Sequence, residues 1–94
     1  MLVLPALAAA ETKLVTQNDR RFDPERIEMS VRATLRIDNT DAFLHHVYVK
    51  HPDFEFDSGG RKPGQSVELR FPKPGTYEVL CDIHPKMRLV VEVK

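Results

Sequence analysis

From Ile27 onward, apolar residues occupy alternate positions, Ile27, Met29, Val31, Ala33, Leu35 and Ile37, while Glu28, Ser30, Arg32, Thr34, Arg36 and Asp38 fill the positions between them. Successive side chains of an extended chain point to opposite faces, so this period of two predicts one half-buried strand or two strands in series. The same period returns in Val67-Leu69-Phe71, in Tyr77-Val79-Cys81 and in Met87-Leu89-Val91-Val93, and a further strand is expected over Val47 to Lys50. Turn-forming clusters separate these runs: Asn39-Thr40-Asp41, Asp57-Ser58-Gly59-Gly60, Lys62-Pro63-Gly64 and Pro72-Lys73-Pro74-Gly75. Such residues supply the fixed or positive φ angles that tight turns need. Seven prolines also disfavour long helices. The pattern predicts an all-β chain, a sandwich rather than a parallel sheet with crossover helices.

At 94 residues there is material for one domain and one modest core. Fourteen basic residues balance fourteen acidic ones, so no global field exists to hold DNA, RNA or an anionic membrane. Residues 1–10 carry no charge and end in Leu7-Ala8-Ala9-Ala10, an apolar stretch with a small-residue cleavage pattern. We expect this stretch to be the remnant of a secretory signal, although a first strand or a tail is the alternative, and residues 11–94 to form a single domain. The stretch is too short to span a bilayer, and a periplasmic or otherwise exported monomer is expected. The single cysteine, Cys81, cannot close an internal disulfide, so an exported domain of this size relies on its core, a metal or both.

That cysteine opens the segment Cys81-Asp82-Ile83-His84-Pro85-Lys86-Met87, which places a thiol, an imidazole and a thioether at successive intervals of three. All three can bind a soft metal. Pro85 opposes a continuous helix, so the side chains are expected to converge around a loop that joins two strands. A further imidazole must come from elsewhere, and His45-His46, just before the strand at Val47, is the natural source. Two imidazoles and a thiolate with a long axial thioether suit copper in electron transfer, whereas structural zinc takes four short ligands and seldom a methionine. Met87 also continues the alternation of its strand and could serve as core instead.

On these residues the chain resembles the cupredoxins, through Asn39 to Val49 and Lys73 to Val93, and the short Cys-x-x-His-x-x-Met loop with Pro85 is most similar to that of the amicyanins. The resemblance extends loosely from Phe22 to the C-terminus and implies a Greek-key β-sandwich holding one copper ion that cycles between Cu(I) and Cu(II). The segment Asn39-Thr40-Asp41-Ala42-Phe43-Leu44-His45 matches the stretch that leads to the family's first ligand, which makes His45 the ligand and His46 its neighbour. The implied metal ligands are therefore His45, Cys81, His84 and Met87. His46 stands where the family usually has asparagine, and Asp82 where it has serine or threonine. A His46 to Asp82 contact is expected to replace the brace that those positions make across the site.

The expected function is a one-electron carrier whose redox partner proteins dock near His84, with Lys86 and Arg88 as candidate docking charges. A copper-buffering or copper-resistance role without a redox partner is the alternative. An enzyme using Cys81 as nucleophile and His84 as base is disfavoured: no orienting acid is evident, and no second domain builds a cleft. Ser58 to Gly64 lacks the Gly-Lys-Ser/Thr ending of a phosphate loop and reads as a basic surface turn. His51 belongs to a turn and Met29 to the core.

Overall fold

The computed structural model describes residues 11–94, so the expected signal remnant lies outside the described residues. Among the described residues there are nine strands and no helix: β1 (Thr12–Asn18), β2 (Arg21–Asp23), β3 (Arg26–Met29), β4 (Thr34–Asn39), β5 (Tyr48–His51), β6 (Phe54–Asp57), β7 (Ser66–Leu69), β8 (Gly75–Leu80) and β9 (Arg88–Val93). They form two sheets, one of four strands in the order β2-β1-β4-β7 and one of five in the order β3-β9-β8-β5-β6. Most neighbours are antiparallel, but β1 runs parallel to β4 and β3 parallel to β9. The expected all-β sandwich is what the chain forms.

The two sheets close on a core drawn from the predicted faces: Leu35 and Ile37 of β4, Tyr77 and Val79 of β8, and Leu89, Val91 and Val93 of β9 are all buried. The residues between them, such as Arg36, Glu78 and Arg88, are exposed. Apolar area leaves water on one face only, which holds each strand in register. The long alternating run from Ile27 divides into two strands in series that lie in different sheets. A turn closed by the Ala33 amide donating to the Ser30 carbonyl at 3.0 Å carries the chain across.

Three strands lacked a readable hydrophobic signal. In β1 the buried face carries Val15 and Gln17, while Leu14 stands 56% exposed, so polarity and burial disagree there. β2 has a single buried residue, Phe22, and β6 is an edge strand whose Phe54 and Phe56 are only half-buried. Met29 is core, as expected. His51 ends β5 with its ring 4.3 Å from that of Tyr77.

One end of the sandwich gathers four connections. The β1–β2 hairpin turns through Asp19 and Arg20, both at positive φ (53° and 55°). The β4–β5 connection carries His45, whose backbone makes an isolated two-way bridge to Arg61 in the β6–β7 connection. The β8–β9 loop runs from Cys81 to Met87. Lys62-Pro63-Gly64 makes the predicted tight turn, with Gly64 at φ 88° and the Gln65 amide donating to the Lys62 carbonyl at 3.0 Å.

Candidate metal centre

Cys81 follows the last residue of β8 and Met87 precedes the first of β9, so two adjacent strands fix the ends of the loop between them. Both side chains are buried, at 1% and 2% exposure, and both belong to the hydrophobic core. The Met87 amide donates to the His84 carbonyl at 2.9 Å, which folds the loop back on itself and lifts His84 to a half-buried position at the rim. Pro85, next in the chain, ends any helical alternative.

His45 comes from the opposite side and is fully buried. Its amide donates to the Arg61 carbonyl at 3.0 Å and its carbonyl accepts from the Arg61 amide at 2.8 Å, which pins the backbone. Its Nε2 lies 2.9 Å from Asp41 Oδ2. A carboxylate there holds the ring proton on Nε2 and leaves the Nδ1 lone pair facing inward. Nδ1 stands 3.7 Å from Cys81 Sγ. Two donors about 2.05 and 2.3 Å from a shared ion are about 3.6 Å apart at a tetrahedral angle and about 3.8 Å at a trigonal one. The pair is therefore spaced as two ligands of one ion.

The His84 ring meets the His45 ring edge-on, with centroids 4.8 Å apart. The arrangement is a set pair with two neighbours rather than a closed cage: among the described residues no three His, Cys, Asp or Glu side chains stand together at metal-ligand spacing. The expected fourth neighbour, Met87, is buried close to Cys81 and His45. A thiol, a thioether and two imidazoles form a donor set of the kind that copper takes.

Asp41 does more than face His45. Burial pushes its carboxyl up, but hydrogen bonds from His45, from the Arg20 amide (2.8 Å) and from the Ala42 amide (2.8 Å) outweigh that and hold it at about 2. Asn39, also fully buried, donates to the Phe43 and Arg61 carbonyls at 2.8 and 2.9 Å and accepts the Asp41 amide at 3.0 Å. The whole approach to His45 is thus wired into the β1–β2 and β6–β7 connections. The positive φ at Arg20 is stabilised in the same way, since its amide meets Asp41 and its guanidinium lies 4.2 Å from the Phe43 ring centroid.

Two expectations fail here. Among the described residues His46 makes no hydrogen bond or ion pair with Asp82: its Nε2 would be 3.4 Å from a side chain placed at Gly60, whereas Asp82 is exposed. The brace is instead made by the backbone, with the His46 amide donating to Cys81 Sγ at 3.2 Å. Ser58 straps the next residue, its Oγ accepting from the Val47 amide and its amide donating to the Val47 carbonyl, both at 2.9 Å. Nor is the Ser58 to Gly64 stretch wholly a surface turn, because Arg61 turns inward and is 95% buried. Burial pulls its guanidinium below the usual range, while the Cys81 and Asp38 charges oppose that fall.

Around the rim Phe43, Leu44 and Ile83 stand 42%, 43% and 42% exposed. Beside them Arg20, Ile83, His84, Pro85, Lys86 and Met87 line a shallow depression of about 310 Å³. His84 is thus set in an apolar surface with cationic flanks.

This fold and this site define a class. Residues 2–91 match the family described as the cupredoxin-like domain, and the chain belongs to it. The cofactor of that family is one copper ion, which the donor set fits. Amicyanin-alpha from Methylorubrum extorquens is 30% identical over 77 residues, which is 79% of this chain and 65% of that one. Among solved structures, a reduced amicyanin variant superposes with a TM-score of 0.82 at 24% identity, covering 93% of this chain and 86% of that one. A copper-containing nitrite reductase from Thermus scotoductus superposes with a TM-score of 0.81 at 25% identity, covering all of this chain but only 24% of the reductase. The chain is amicyanin-like and spans less than two thirds of the curated amicyanin.

Proposed function

We propose that the protein is an exported one-electron carrier, with His45 Nδ1, Cys81 Sγ, the His84 imidazole and the Met87 thioether as its copper ligands. The observation that carries this reading is the buried Cys81–His45 pair, 3.7 Å apart and held by strand ends and Asp41. Copper bound there supplies one electron per cycle between Cu(I) and Cu(II).

The protein's own residues do the rest. β8, β9 and the Arg61 bridge hold the ligands nearly still, so a change of charge at the site demands little rearrangement. Burial of Cys81 and Met87 keeps water from the sulfur atoms. Half-buried His84 offers the electron its way out, through a face where Phe43, Leu44 and Ile83 can meet a partner protein, flanked by the cationic Arg20 and Lys86. Amicyanin-like relatives support partner proteins of this kind and an exported setting. A nucleophilic enzyme is a poorer reading, since Cys81 is 1% exposed and a substrate could not reach it.

The test is to add Cu(II) to the purified protein and to Cys81→Ser and to record visible and electron paramagnetic resonance spectra. An intense thiolate-to-copper band in the wild type only, with fast electron self-exchange, is expected. No band refutes Cys81 ligation, and a band accompanied by rapid copper loss to a weak chelator favours buffering.

A further inference from the structure

Arg61 is a buried cation that a carrier site of this size does not need for ligation. It is 5% exposed, and among the described residues its Nε has no hydrogen-bond partner and its other guanidinium contacts are all neutral: the Ile37 carbonyl at 3.2 Å, the Gln65 carbonyl at 3.4 Å and Gln17 Oε1. Burying a charge with only neutral partners is unfavourable unless something else nearby uses it.

Two hydrogen-bonded links run from Arg61 to the segment beside Cys81, and one of them reaches the sulfur. The Arg61 guanidinium donates to Gln17 Oε1, and the same amide's Nε2 donates to the His46 carbonyl at 3.1 Å. The Arg61 backbone amide donates to the His45 carbonyl at 2.8 Å. That carbonyl and the His46 N–H belong to one peptide unit, and the His46 N–H donates to Cys81 Sγ at 3.2 Å. Arg61 therefore grips the two-residue segment next to the sulfur twice, once by its backbone and once through fully buried Gln17. In the backbone link the His46 N–H turns its positive end toward the sulfur, and the Arg61 amide on the same peptide unit strengthens that polarity.

We propose that Arg61, seated on Gln17, is a positioning and charge-setting residue that biases the copper site toward Cu(I). The inference rests on the carrier reading above. When the site accepts one electron from its protein donor, its charge falls by one. A fixed cation in a low-dielectric surrounding favours the form of lower positive charge, so it strengthens Cu(I) binding relative to Cu(II). Asp38, the nearby carboxylate, is already paired with Arg36 at 2.8 Å and does not cancel this guanidinium.

The experiment compares the wild type with Arg61→Met, Arg61→Lys and Gln17→Glu, measuring the reduction potential and the separate affinities for Cu(I) and Cu(II). Arg61→Met removes the charge and should lower the ratio of Cu(I) to Cu(II) affinity roughly tenfold, a fall of about 59 mV for a one-electron couple. Arg61→Lys keeps the charge and should stay within about threefold of the wild type. Gln17→Glu leaves Arg61 in place but neutralises it, and should follow Arg61→Met, which preserves the test if the methionine variant does not fold. A merely structural role would disturb all three variants alike or change stability without changing the ratio. Wild-type ratios in the folded charge-removing variants, or an equal fall in Arg61→Lys and Arg61→Met, overturn the inference alone. A wild type with no Cys81-dependent copper band overturns the carrier reading and this inference together.

Discussion

Replacing Asp41 by alanine should both loosen the fold and weaken the metal site, by amounts that its hydrogen bonds allow to be worked out. The carboxylate accepts the Arg20 and Ala42 amides at 2.8 Å each and faces His45 Nε2 at 2.9 Å. Hydrogen bonds to a charged group contribute about 1.5–3 kcal/mol each, but donors that water can reach recover most of that. Arg20 and Ala42 are exposed residues whereas the His45 ring is fully buried, so one donor is left without a partner. The expected loss is about 2–4 kcal/mol.

The titration of the group gives a compatible figure. A carboxyl held at about 2 instead of 3.8 contributes at most about 2 kcal/mol once solvent screening is allowed for. Because the folded value is the lower one, that contribution is fully present above pH 3.8 and fades as the pH falls toward 2. Thermal unfolding of the copper-free protein should show a Tm roughly 10–30 °C lower in Asp41→Ala at neutral pH, with the difference shrinking in acid. If His45 is the ligand proposed above, loss of its tautomer's partner should weaken copper binding about 10–100-fold, as competition with a chelator would measure. Stability within about 0.5 kcal/mol of wild type together with unchanged copper affinity would refute the role given to this carboxylate.

Leu89→Ala empties a fully buried position of the five-stranded sheet and should destabilise the fold by about 2–5 kcal/mol in urea titrations, whereas a change below about 1 kcal/mol would mean that the core does not close there. Lys86 lines the depression beside His84, so Lys86→Glu should slow association with an acidic redox partner severalfold at low salt, and a rate insensitive to salt in both proteins would point to apolar docking instead.

How far the chain could be read in advance depended on whether polarity and burial agree. They agree for most of β4, β8 and β9, where buried Leu35, Ile37, Tyr77, Val79, Leu89, Val91 and Val93 alternate with less buried positions. They disagree in β1, where Gln17 faces inward because Arg61 and the His46 carbonyl wait for it, and Leu14 faces out. The proposed ligand loop stood out in the sequence because Cys81, His84 and Met87 are local and chemically distinctive. His45 was separable from His46 only by resemblance, since two adjacent histidines have identical chemistry and the bridge to Arg61 that sets their directions is a tertiary feature. Arg61 resembled a surface residue for the same reason: its burial depends on Gln17, far away in the chain. The expected pairing of His46 with Asp82 presumed that side chains close the site there, where a backbone amide does so.

The placement of β9 has a consequence for the order in which the molecule is assembled. This strand is the last of the described strands yet lies inside its sheet, hydrogen-bonded in parallel to β3 on one edge and to β8 on the other. Pairings between segments so distant along the chain must wait until both have been made, and their closure is slow. Until β9 is inserted, the loop that precedes it has only one anchored end, and Met87 has no fixed position relative to His45. A nascent or partly threaded chain therefore carries the thiol and the imidazoles without a site, and selective metal capture belongs to the finished molecule.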